Sequence, residues 1–195
     1  MFWLVAALCA ACGHRPGHGE RIAWTAVVLP EADPEVSARI AQYGPLVERA
    51  AEAHGLDPAL VAAVVWVESR FDPSARSPAG AVGLMQLMPR TAREIGRRMG
   101  KRIRRRNPAS NLDAGCFYLR RMLDGQRGNV RWALAAYHAG PGNAARYRRR
   151  GRMSEATARY VARVLEVRRR FAEAMGPKGL AGPLNAPRAP VDRSF

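Results

Sequence analysis

Residues 57–69 read Asp57-Pro58-Ala59-Leu60-Val61-Ala62-Ala63-Val64-Val65-Trp66-Val67-Glu68-Ser69. Asp57 then Pro58 is a helix-start signal: a capping side chain, followed by a residue whose fixed φ suits the first helical position. Beyond it Leu60, Val61, Val64, Val65 and Val67 cover most of a helix circumference. A helix apolar on nearly every side has to be enclosed, so this one is predicted to be the buried centre of the domain. Its neighbours supply the enclosure. Leu46–His54 reads as a helix closed by Gly55, and Pro89 starts one that runs to Gly100. Asn111–Asp124, Val130–Ala139 and Ser154–Met175 follow, the last with Ser154 as N-cap. Asp72-Pro73 and Ser77-Pro78 mark a loop. No alternating strand pattern runs through this region, and the expected fold class is all-α.

The chain has 195 residues, which suits one domain with tails. Hydrophobic residues make up 48%, aromatic ones 7% and charged ones 25%, enough to build and bury a core. This excludes a chain disordered throughout, a collagen-like repeat and a polytopic membrane protein. Thirty-two Lys+Arg against 16 Asp+Glu give a net charge of +16. A chain so basic is drawn to polyanions. Only Lys101 and Lys178 are lysines, however, and the chain is rich in Ala, Gly and Pro. A GC-rich coding bias produces the same mixture, so both readings of the charge stay open here.

Met1 to Cys12 reads MFWLVAALCAAC, an apolar run too short to span a bilayer. It fits the apolar region of an export signal, without the usual basic start. Ala10-Ala11-Cys12-Gly13 looks like a lipoprotein cleavage box, with Cys9 where Leu is usual. An exported protein in the periplasm or cell envelope is expected, with Cys12 lipidated or the segment a plain signal peptide. Residues 13–35 read as a linker, with an apolar piece, Ile22–Leu29, able to pair as an edge strand. His14 and His18 fall in its Gly/Pro-rich part, without further ligands for a metal. Residues 36–175 form the folded domain. Residues 176–195 are a Gly/Pro-rich tail, and disorder is expected at both ends. Cys116, in the apolar stretch Ala114–Leu119, reads as a small buried hydrophobe. No zinc-ligand spacing and no Cys–His nucleophile pattern is present.

Glu68 stands near the C-terminal end of the most apolar helix. The helix dipole and the desolvating valines both disfavour a carboxylate there, so both raise its pKa towards the range of a general acid. The alternative is a side chain turned out to solvent beside Arg70. Downstream, Ser77-Pro78-Ala79-Gly80-Ala81-Val82-Gly83-Leu84-Met85-Gln86-Leu87-Met88-Pro89 combines glycines for a tight backbone with Met and Gln that follow no helical core face. Then come Ala136-Tyr137-His138-Ala139-Gly140-Pro141-Gly142 and Thr157-Ala158-Arg159-Tyr160-Val161.

These pieces, in this order, resemble the catalytic domain of the soluble lytic transglycosylases, within the goose-type lysozyme superfamily. The motifs are Glu68-Ser69, Gly83-Leu84-Met85-Gln86 continuing to Met88-Pro89, the Ala-Tyr-Asn-Ala-Gly box with His138 in place of Asn, and Tyr160-Val161 in the last helix. Asn111-Leu112 to Tyr118-Leu119 fits the helix between the second and third motifs. The resemblance covers residues 44 to 172. It implies a lysozyme-like helical domain with a deep substrate cleft, acting on peptidoglycan glycan strands without metal or organic cofactor. The bond cut would be the β-1,4 link from N-acetylmuramic acid to N-acetylglucosamine, with Glu68 as sole acid and base. Glu68 would protonate the leaving oxygen, then deprotonate the muramyl C6 hydroxyl to close a 1,6-anhydro ring. Ordinary glycosidases need a second carboxylate, about 5–5.5 Å away in retaining enzymes and about 6.5–9.5 Å in inverting ones. By resemblance Ser77 and Gln86 would hydrogen-bond sugar substituents, and Met85 and Met88 would line the cleft. Tyr137 and Tyr160 would position Glu68 or the acetamido group, with core packing as the plainer role. Two departures stand out: His138 replaces an amide, and Ala156 stands where the family often has Glu, with Glu155 one place earlier.

The stretch Arg90–Arg106 holds nine basic residues against Glu94 alone. It reads either as a solvated face or as an attractor of anionic phospholipid, lipopolysaccharide or the carboxylates of peptidoglycan stem peptides. Nucleic acid is not expected as a primary partner, because no aromatic-interleaved RNA motif and no helix-turn-helix is found. A monomer is expected. A lysozyme-type hydrolase, with Asp72 holding a water, and a non-catalytic peptidoglycan-binding module are the alternatives that keep the fold.

Overall fold

The computed structural model describes residues 21–176. The export-type segment 1–12 with Cys9 and Cys12, the residues His14 and His18, and residues 177–195 lie outside it. Seven α-helices make up the described region: α1 Pro34–Ala53, α2 Pro58–Ser69, α3 Pro89–Met99, α4 Pro108–Gly125, α5 Val130–Ala139, α6 Pro141–Arg149 and α7 Glu155–Met175. The two β-bridges, Arg76 with Val82 and Val82 with Leu87, are isolated. The fold is all-α.

The helix starts follow from local chemistry. Pro34, Pro58, Pro89, Pro108 and Pro141 each open a helix, where a missing N–H costs nothing. Asp33, Asp57, Asn107, Asn129 and Ser154 each accept a hydrogen bond from a first-turn backbone N–H. Ala59 through Trp66 of α2 are all buried, so the helix is enclosed as its composition requires. α7 packs along it, with Phe171 meeting Trp66 edge-on at 6.2 Å and Phe71 at 6.0 Å. α1 flanks α2 on another side, α5 bridges α4, α6 and α7, and α3 rests on α4. Cys116 is buried as expected, and burial pushes its thiol pKa up.

Two helices differ from the sequence reading, and so does the segment before α1. α1 begins at Pro34 rather than Leu46 and runs through Gly44-Pro45, a pair that reads as a helix break. Gly44 is there for contact. A Cβ on it would stand 2.1 Å from the Trp24 indole, so glycine lets that ring lie on the helix. Glu48, one turn on and buried, accepts from the Ile22 N–H at 3.1 Å and Trp24 Nε1 at 3.0 Å. Ile22–Leu29 is therefore neither edge strand nor linker in character. Ile22, Trp24, Val27 and Leu29 are buried in the core around a single 3-10 turn, Trp24–Ala26. The second helix to differ is α6, which the sequence reading lacks. Its one buried residue is Ala144, so it carries no apolar period to read.

A substitution pair tests the Trp24 seat. Gly44→Ala is expected to destabilise the fold by about 1–3 kcal/mol through overpacking. Gly125→Ala, at a helical glycine with open space around it, is expected to leave stability unchanged or slightly raised. Urea denaturation of the two variants reads the contrast.

Candidate active site

The site begins where α2 ends. Arg70 and Phe71 both adopt left-handed backbone, with φ of 54° and 59°, which turns the chain sharply. Phe71 is fully buried, and its packing holds that turn. Arg70 swings away: its guanidinium lies 4.0 Å over the Trp66 ring and donates to the Glu31 carbonyl. Glu68 is not left beside Arg70 in solvent. It is largely buried, and the Tyr160 hydroxyl on α7 donates to its Oε1 at 2.8 Å. Burial raises the Glu68 pKa from 4.5 to about 7, against the Tyr160 hydrogen bond, which favours the charged form. Burial also pushes the Tyr160 and Tyr137 phenols up, with the Glu68 charge adding to it, so both stay protonated donors.

His138, at the end of α5, stacks on Tyr160 with ring centroids 4.3 Å apart and planes within 18°. Partial desolvation lowers its pKa, which favours the neutral imidazole. Tyr137, its neighbour, does not reach Glu68 by hydrogen bond. Its hydroxyl donates to the Met85 carbonyl at 2.8 Å. Glu68, Tyr160 and His138 thus form one contact chain from three helices. Tyr137 ties α5 to the loop between α2 and α3.

That loop is held by side chains from outside it. Ser69 donates its hydroxyl to the Val65 and Leu84 carbonyls, at 3.1 and 2.9 Å. Asn111, fully buried on α4, accepts from the Met85 N–H at 2.8 Å and donates to the carbonyls of Val82 and Arg105. Gly83 has a φ of 85°, and a Cβ there would stand 2.4 Å from the Asn111 amide, so glycine is required twice over. Gln86 also takes a positive φ, 44°, and its amide donates to the carbonyls of Ala75 and Gly83. Its donors are thus spent inside the loop. Ser77 accepts from the Ala81 N–H, and its hydroxyl has no acceptor among the described residues.

The methionines separate. Met88 is 38% exposed and can line a surface. Met85 is fully buried, its sulfur where a Cβ on Gly115 would stand 2.2 Å away. Its side chain lines no cleft, which corrects the sequence expectation; packing on the bare Gly115 backbone draws it inward. Glu155 pairs with Arg159 on the surface. Sequence reasoning passed over Asn111 as a clamp. The signal was Gly83, a residue without a Cβ whose close neighbour had to come from elsewhere in the chain.

Folding and protonation are linked at Glu68. Between pH 4.5 and about 7 the folded protein holds a proton that the unfolded chain has released, so stability falls as pH rises through that window. Glu68→Gln, which mimics the protonated form, is expected to raise Tm more at pH 8 than at pH 5. Tyr160→Phe removes a donor to the carboxylate and is expected to move the Glu68 titration upward, read by the carboxyl carbon-13 shift.

Comparison with known proteins meets this geometry. A family model described as Transglycosylase SLT domain matches residues 45–159. The membrane-bound lytic murein transglycosylase C of Actinobacillus pleuropneumoniae is 37% identical over 138 residues, covering 64% of this chain and 37% of that protein. The membrane-bound lytic murein transglycosylase F of Desulfosudis oleivorans is 37% identical over 114 residues, covering 55% of this chain and 24% of that one. The chain thus spans 37% of the length of the first relative and 24% of the second. An inactive mutant of the lytic transglycosylase Slt from Pseudomonas aeruginosa superposes with a TM-score of 0.62 at 31% identity, over 69% of this chain and 25% of that one. The 70 kDa soluble lytic transglycosylase of Escherichia coli gives 0.63 at 29% identity, over 70% and 25%. The all-helical, lysozyme-like fold is that of these structures, and the chain belongs to the transglycosylase SLT domain family.

Proposed function

We propose that this protein is a peptidoglycan lytic transglycosylase with Glu68 as its single acid and base. The observation that carries the reading is a carboxyl group whose pKa is raised to about 7 by burial and whose Oε1 is already engaged by Tyr160. The proton then resides on Oε2, free to pass to a glycosidic oxygen. As the C1–O bond of the muramyl residue breaks, that oxygen takes the proton and Glu68 becomes a carboxylate. The Tyr160 hydroxyl stabilises this new charge. Glu68 then removes the proton from the muramyl C6 hydroxyl, whose oxygen bonds to C1 and closes the 1,6-anhydro ring. The nucleophile belongs to the substrate, so its proximity supplies much of the rate and no second carboxylate is needed.

The remaining roles follow from the positions of the side chains. Ser77, the Gln86 carbonyl and Met88 contact sugar, Tyr137 holds the Met85 carbonyl in place, and His138 orients Tyr160. A hydrolytic alternative would enlist Asp72. Despite some desolvation its pKa is lowered, because Ser74 donates to Oδ1 twice and Arg39 is near. That oxygen is spent within the turn, which favours the lytic reading. Relatives named as membrane-bound, with the apolar start of the chain, support an envelope location. We place Cys12 as the lipidated residue of an exported monomer, with the basic stretch Arg90–Arg106 facing anionic envelope material.

Mass spectrometry of muropeptides released from purified peptidoglycan tests the reaction. The protein is expected to give 1,6-anhydromuramyl ends, and Glu68→Gln to lose at least about a hundredfold in rate. Reducing muramyl ends would contradict the reading. A second prediction concerns His138. Protonation removes its acceptor and sets a cation on the Tyr160 ring, so activity should fall at acid pH more steeply than in His138→Asn. Overlapping pH–rate profiles would rule that out.

A further inference from the structure

Beside the loop that follows Glu68 runs a groove lined by arginine. Its larger hollow, about 900 Å³, lies between α3 and residues 100–105. A second, about 670 Å³, shares Pro89, Arg102, Ile103 and Arg105 with the first and reaches Arg76, Ser77 and Gly80. Its far wall is therefore the loop that carries Ser77 and Gln86.

The groove is stiff. Ile103 packs with Leu87, Ile95 and Ala114. The Lys101 carbonyl comes so near α3 that a Cβ on Gly96 would stand 2.7 Å from it. Arg105 donates to the carbonyls of Gly80 and Leu87, both at 3.0 Å, while its own carbonyl accepts from Asn111. Lys101 pairs with Asp113. Arg105 and Lys101 are thus struts of the wall. Arg90, Arg93, Arg97, Arg102, Arg104 and Arg106 are different: all are exposed, and none has a carboxylate at ion-pair distance among the described residues. Glu94, the acid of α3, already faces Arg98 and Arg121.

Resting on the lytic reading of the Glu68 site, we propose that this groove binds the carboxylates of the stem peptides that branch from the glycan strand. It would make the enzyme favour peptide-bearing strands over bare ones. A planar guanidinium suits a carboxylate, and a stiff wall lowers the ordering cost of binding it. Shape and position favour a peptide over a bilayer. A concave hollow admits a chain but not a flat surface. The shared loop means that a peptide tethered to a bound strand arrives at high effective concentration.

The test compares the full chain with two triple variants. Arg97→Gln/Arg102→Gln/Arg104→Gln removes three of the groove's six unpaired charges, and Arg149→Gln/Arg150→Gln/Arg152→Gln removes equal charge elsewhere. Each is assayed on peptidoglycan with its stem peptides and after an amidase has stripped them. The groove triple is expected to lose about tenfold in kcat/KM on peptide-bearing strands and to stay within about twofold on stripped ones. The other triple should keep the original preference. Equal loss on both substrates, or in both triples, would overturn the proposal. Calorimetry with a synthetic stem tetrapeptide reads binding without turnover. Salt-sensitive binding that the groove triple loses supports the proposal even if no glycan is cut, when only the lytic reading fails. Glycan cleavage with no tetrapeptide binding and an unchanged preference overturns the groove alone. Loss of binding to phosphatidylglycerol vesicles in the groove triple, with the substrate preference intact, would assign the charge to a membrane and overturn it too.

Discussion

A carboxyl group sits at the end of a helix that is enclosed on nearly every side, and the rest of the structure follows from keeping it there. Enclosing α2 requires α1 and α7 to lie against it. The same enclosure removes water from Glu68 and raises its pKa. Water removal alone would raise it further. The Tyr160 hydroxyl opposes burial by stabilising the carboxylate, and the balance falls at about 7. An acid and base poised there can give a proton and take one back within one catalytic cycle.

Glu68 also needs a substrate-facing surface that keeps its shape. That surface is a loop, closed on itself by backbone hydrogen bonds such as those exchanged by Val82 and Leu87, and fixed to the helices by side chains. Asn111 supplies two hydrogen bonds from α4 and a third to Arg105, Ser69 ties the loop to α2, and Tyr137 ties it to α5. Each bond consumes a buried polar group that would be costly if left unpaired. Among the described residues, no buried side-chain nitrogen or oxygen lacks a partner. The clamp at Arg105 extends the same stiffness into the arginine-lined groove, which joins the two surfaces mechanically.

The core of the fold was legible because its signals are local. Asp57-Pro58 announces α2, and the run from Leu60 to Val67 announces its burial. Glu68, Tyr137, His138 and Tyr160 stood out through the same short motifs. What escaped was non-local. Gly44-Pro45 reads as a break until Trp24, twenty residues earlier, is seen to need the bare backbone. Met85 reads as a cleft-lining residue until Gly115 opens a space for it inside. Asn111 looks like an ordinary polar residue in an amphipathic helix, because its three partners lie in two other segments. α6 has one buried residue, Ala144, and so no period for a sequence reading to find.

The pH dependence of kcat/KM for release of anhydromuramyl products tests the central claim most directly, because it reports the free enzyme's essential acid. With Glu68 required in its protonated form, the rate should fall on the alkaline side with an apparent pKa of about 7. In Tyr160→Phe that limb should move to higher pH. A rate that stays flat to pH 9, or a limb that Tyr160→Phe leaves in place, would contradict the account.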